Sequence, residues 1–146
     1  VDTDLRHAAV MALGELGRSH DYRDRADAGH GLAAFAEMQE ALGPLRELVL
    51  DPDDTFVTRQ TTEALLRRMD RVGLTIVASA LTVANSNHSD WIHTAIVDVF
   101  SLFSDDRDHA IRLCEEMSRE TDDRVALGAR QLHEVLAEID PVLRPL

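Results

Sequence analysis

The chain has 146 residues, 27 acidic against 15 basic, and a formal net charge of −12. Every basic residue is Arg, which excludes a P-loop lysine, a Schiff-base lysine and a lysine nucleophile. The single cysteine, Cys114, excludes a disulfide framework, a CxxC pair and a multi-cysteine zinc site.

Hydrophobic residues make up 45 % of the chain but aromatics only 4 %, and Gly and Pro are few, which favours helices over strands. The fold class is all-α, in one domain over 1–146. Helical spacing predicts eight helices, over 3–17, 21–36, 39–50, 54–70, 72–85, 89–104, 106–119 and 122–138. The first carries Leu5, Ala9 and Leu13 and stops at Gly17. After the second, Gly43-Pro44 either starts a short helix or kinks a longer one. Pro52 stops the third, Asp54 or Thr55 caps the fourth, and Gly73 separates the fourth from the fifth. Asn87 or Ser89 caps the sixth, Thr121 or Asp122 the eighth, and Pro141 follows the last. Connections of about 2–5 residues make neighbouring helices antiparallel. Segments 74–84 and 92–103 are apolar nearly all round, so both are buried on more than one side. No apolar run approaches the ~20 residues a membrane helix requires. The acidic start Val1-Asp2-Thr3-Asp4 has no secretory signal, so a soluble, cytoplasmic protein is expected.

The helices repeat. A polar start followed by an apolar, a small and a bulky residue at three, seven and eleven recurs as Asp2-Leu5-Ala9-Leu13, Asp54-Val57-Thr61-Leu65 and Ser89-Ile92-Ile96-Phe100. Degenerate copies begin at Asp21 and Asp122, and from Asp21 onward the spacings are 33, 35 and 33 residues. Between them lies a second helix type, exemplified by 44–50, 74–83 and 110–114, each running toward a turn rich in Asp, Asn or Ser. A helix pair repeated at this period buries its apolar faces by stacking on its neighbours.

Asp4-Leu5-Arg6-His7-Ala8-Ala9-Val10-Met11-Ala12-Leu13-Gly14-Glu15-Leu16-Gly17 resembles the second helix of a HEAT repeat, and Leu50-Asp51-Pro52-Asp53-Asp54 resembles the turn preceding one. The resemblance implies a short α-α superhelix of about four antiparallel pairs. Regular pairs would span 39–70, 72–104 and 106–138. An irregular N-terminal repeat would cover 1–37, with a first-type helix missing between two second-type signatures. It also implies that the second helices line a concave face.

Candidate chemistry is thin by comparison. His88 and His93 are five apart and do not share a helix face, so no metal is expected. His20-Asp21 is similar to the central dipeptide of HD phosphohydrolases, but His7 lies only 13 residues upstream. Cys114 shares the apolar register of Ala110, Ile111, Leu113 and Met117 and reads as a buried hydrophobe. No cofactor and no catalytic residue are expected.

Arginine is the exception. Nine of the 15 fall on or just after the repeat-signature helices: Arg6, Arg18, Arg23, Arg25, Arg59, Arg67, Arg68, Arg124 and Arg130. They either form an Arg-bearing groove for an acidic peptide or phosphate, or are absorbed in a ladder to neighbouring Asp (Arg6, Arg25) and in pairs such as Glu63-Arg67. Trp91 is offset by about 100° from the Ile92/Ile96 stripe, which puts it at a groove edge beside Arg59 and His93 or buries it between repeats. The candidate binding set is Arg25, Arg59, Arg67, Trp91, His93 and Arg130. The expected function is a non-enzymatic scaffold for a protein or peptide partner, without a membrane. The alternatives are a damaged-base-binding module, against which the missing Lys and the −12 charge count, and an accessory lyase-type protein.

Overall fold

Side-chain oxygens set the helix starts. Asp21, Asp54, Asp70, Asn85 and Asp122 each accept a backbone N–H of the first turn, satisfying a donor that has no partner inside the helix. In the computed structural model, which describes residues 2–146, eight helices result: α1 (Asp2–Leu16), α2 (Tyr22–Ala33), α3 (Gln39–Val49), α4 (Thr55–Leu66), α5 (Arg71–Leu81), α6 (Ser86–Phe100), α7 (Ser104–Met117) and α8 (Asp123–Glu138). The chain is all-α, and the helices pack on one another.

α3 begins at Gln39, as expected, after an uncapped Met38, and of the two readings of Gly43-Pro44 the longer helix holds, with Pro44 inside it. Two starts differ from expectation. The α6 cap is Asn85 rather than Asn87 or Ser89. Gly73 lies in the first turn of α5 rather than between α4 and α5. Its N–H donates to Asp70 Oδ1 at 3.0 Å, and a Cβ there would collide with the Leu65 carbonyl of α4. Gly73 therefore marks a close helix approach, not a stop.

The packing makes two rows. α2, α4 and α6 lie side by side, and α1, α3, α5 and α7 follow one another in the second row. α1 packs on α2 and α3 and opens the second row. Its buried side is narrow, with Val10 alone fully buried and Leu13 and Leu16 at the core margin, because it has neighbours on one flank only. The two-row pattern breaks at α8. α8 rests mainly on α5 and α7 and touches α6 less. Gly128 makes this possible, since it sits directly on the backbone of Ala78.

The core is continuous along both rows, with Leu32, Leu65, Leu74, Ile96, Phe100 and Leu132 fully buried. After α8 the chain returns to the α6–α7 turn. There the Val142 and Leu143 N–H groups donate to the Ser101 and Leu102 carbonyls at 2.9 and 2.7 Å. No helix among the described residues is long and apolar enough to cross a membrane.

At the centre of α4, Thr58, Thr61 and Thr62 are fully buried and their hydroxyls have no hydrogen-bond partner. An unpaired buried hydroxyl costs about 1–3 kcal/mol. Thr58→Val and Thr62→Val keep the branched shape and remove that cost. Each is expected to raise the urea midpoint by the equivalent of about 1–2 kcal/mol, and a lowered midpoint would show that the hydroxyls stabilise the fold.

Candidate functional site

Arg25 belongs to the framework, not to a ligand site. It is buried on α2, and its Nε and Nη2 donate to Asp51 Oδ1 and Oδ2 at 2.9 and 3.2 Å. Its Nη1 donates to the Ser19 and His20 carbonyls, both at 3.1 Å. Asp51 also accepts the Asp53 and Asp54 N–H groups, and its own carbonyl accepts from His88 Nε2 of α6 at 2.8 Å. Asp51 thus joins α2 and the α3–α4 turn through its carboxylate and α6 through its backbone carbonyl. This is the ladder alternative, with every Arg25 nitrogen engaged.

Other arginines are engaged as well. Arg59 donates to Glu63 Oε1 at 3.2 Å and to Asp98 Oδ2 of α6 at 2.8 Å, so Glu63 serves Arg59 rather than Arg67. Arg68 pairs with Asp70 and Glu37 and donates to the Ala33 carbonyl. Arg6 pairs with Glu37 and lies over the Phe35 ring, with no Asp involved. Arg67 is exposed at the end of α4 and has no ion pair among the described residues. The arginines of the second helices are thus largely neutralised, which removes the basis for an anion-binding groove.

Arg130 stands apart from these. It borders a shallow groove of about 320 Å³ between α7 and α8, with Cys114, Glu115, Ser118, His133 and Glu134. Burial pushes the Cys114 thiol up to about 12, so it is protonated at neutral pH. A disulfide-type thiol reagent is expected to leave Cys114 unmodified in the folded protein and to react stoichiometrically once denaturant is added. Rapid labelling without denaturant would contradict this placement.

Trp91 and His93 lie on opposite flanks of α6. Asp98, seven residues after Trp91 and on the same side of the helix, meets Arg59 of α4. His93 and Val97 instead line a cleft of about 270 Å³ with Val135 and Glu138 of α8, Ile139 and Asp140. The expected cluster of Trp91, Arg59 and His93 therefore does not form. Trp91 shares a flank with Arg59, and His93 faces the gap that α8 leaves as it leans on α5.

The feature that sequence reasoning passed over is aromatic. Tyr22 and Phe56 form an edge-to-face pair, ring centroids 5.9 Å apart at 86°, while remaining 42 % and 43 % exposed. Phe56 and Trp91 hold the same repeat position, two residues after Asp54 and Ser89. Tyr22 and Phe56 thus stand at the starts of α2 and α4, and Trp91, partly exposed, lies in the second turn of α6. Phe56 and Trp91 each directly precede the apolar repeat residue of their helix, Val57 or Ile92. Asp27, Asp53 and Asp90 accompany this row, exposed and without a side-chain partner among the described residues. Those residues include no group of three or more His, Cys, Asp or Glu arranged to hold a metal ion.

No family model matches the chain, and no curated protein matches it. Among solved structures it is similar to an engineered protein known from a crystal structure, at 20 % identity and a TM-score of 0.37. The match covers 88 % of this chain and 62 % of that one, so the chain spans less than two-thirds of the engineered protein's length.

Proposed function

We propose that the chain is a HEAT-like interaction module, acting in the cytoplasm, that binds a protein or peptide partner on the face formed by α2, α4 and α6. The observation that carries this reading is the exposed Tyr22–Phe56 pair across α2 and α4, with Trp91 partly exposed on the neighbouring α6. Large rigid rings contribute much contact area at small entropic cost, and they dominate the energetics of protein interfaces. Stacked helices hold such rings at fixed spacing, which limits the ordering a partner must impose. The nucleic-acid alternative draws no support from the arginines, most of which face carboxylates.

Selection from a random peptide library on the immobilised protein tests the reading. Binding of the selected peptides is expected to be lost in Phe56→Glu and retained in Arg46→Glu and Arg112→Glu, which lie on α3 and α7. Loss in the latter pair alone, or a selection that yields no binder, would contradict it.

A further inference from the structure

We propose that the surface formed by the starts of α2 and α4 and the second turn of α6 docks an extended peptide segment rich in Arg or Lys. This inference rests on the reading that the second-helix face is the binding surface, and it specifies the partner's chemistry.

Three observations converge on a cationic partner. The first is the nearness in sequence of rings and carboxylates. Phe56 follows Asp53 by three residues and Trp91 follows Asp90 by one, and both carboxylates are exposed and lack ion-pair partners among the described residues. An aromatic face attracts a guanidinium or ammonium through its quadrupole, and an adjacent carboxylate adds a charge-assisted hydrogen bond. The second is an internal precedent. The chain's own Arg23 guanidinium lies 5.9 Å from the Tyr22 ring centroid while pairing with Asp21 at 3.0 Å. That combination of ring and carboxylate around one guanidinium is the contact a partner would make at Phe56 and Trp91. The third is charge complementarity, since the chain carries a net charge of −12.

Helix starts carry about half a positive charge, which by itself disfavours cations. Asp21 and Asp54 oppose it directly. Each caps its helix and brings a full negative charge to that end. Asp53 beside α4 and Asp90 in the first turns of α6 add to the excess.

The geometry also sets the spacing of the partner's cations. Packed helix axes lie about 8–10 Å apart, and a polyproline II segment, with three residues per turn, advances about 3.1 Å per residue and returns every third side chain to the same face. Cations at every third residue therefore match successive helices, and about six residues span the row.

The probe is a peptide of four Arg-Gly-Gly units, with Trp91, the only tryptophan, as the fluorescent reporter. A saturable change in Trp91 emission that weakens with salt is expected, together with none for the matching Glu-Gly-Gly peptide. Phe56→Ala is expected to weaken binding by roughly threefold to tenfold. Asp53→Asn with Asp90→Asn is expected to weaken it similarly and to flatten its salt dependence. Because these side chains are exposed, circular dichroism should show unchanged folding. No saturable response, or a response that both variants leave intact, would overturn the proposal. Library-selected peptides that bind the α2–α4–α6 face but carry no excess of Arg or Lys would overturn it too, leaving the broader reading in place. Selected peptides that bind elsewhere would remove both.

Discussion

Asp51→Ala is expected to destabilise the protein by about 3–5 kcal/mol, because it leaves the Arg25 guanidinium buried without its carboxylate. Against a total of about 5–15 kcal/mol, that loss is a large part of the stability. Two effects add. The guanidinium keeps its bonds to the Ser19 and His20 carbonyls but loses its counter-charge, and the Asp53 and Asp54 N–H groups lose their acceptor. Replacing both partners at once, as Arg25→Met with Asp51→Leu, removes the uncompensated charge. The double variant should therefore be more stable than Asp51→Ala alone, though still below the parent because turn donors remain unpaired. Urea denaturation of the parent, the single variant and the double variant measures both differences. A single variant within about 1 kcal/mol of the parent would show that the ladder contributes little.

Gly128→Ala has the second large effect. An added Cβ would strike the Ala78 carbonyl group and lie 3.0 Å from Ala78 Cα, all of it backbone in the middle of α5. Backbone cannot turn aside as a flexible side chain can, so α8 must shift as a unit. Overpacking typically costs 1–3 kcal/mol and occasionally more, and about 3 kcal/mol is expected here. At about 2–4 °C per kcal/mol for a chain of this size, the midpoint of thermal unfolding should fall by about 6–12 °C. Helix propensity alone would favour Ala over Gly by about 1 kcal/mol, so the sign of the change separates the two effects. A rise in the midpoint would show that α8 does not rest on α5 as described.

Much of the fold was legible because capping and the helical period are local. The Asp54 and Asp122 caps and the stops at Gly17, Pro52 and Pro141 fall where their chemistry puts them. What was misread is what depends on distant neighbours. Gly73 has the composition of a stop, and only the approach of Leu65 shows that it is a contact.

The binding candidates divide in the same way. Arg25 takes the ladder that the repeat offered as one alternative, but Arg59 finds Asp98 39 residues away, a separation at which no local pattern announces a pair. The arginine groove dissolves for that reason. Trp91 and His93 are a different matter. Two residues apart on a helix means about 200° of rotation, so their opposite flanks follow from arithmetic that the sequence already allowed. The recurrence of Phe56 and Trp91 at one repeat position was equally open to view. Their partial exposure was not, because the apolar character of a residue says nothing about which neighbours cover it.

Chemical-shift mapping of the backbone amides during titration with a library-selected peptide tests most directly whether a partner binds the face made by α2, α4 and α6. The perturbed amides should cluster in Tyr22–Asp27, Thr55–Glu63 and Asp90–Asp98, with α3, α5 and α7 undisturbed. Perturbations concentrated on α3, α5 and α7, with those three segments unchanged, would contradict it.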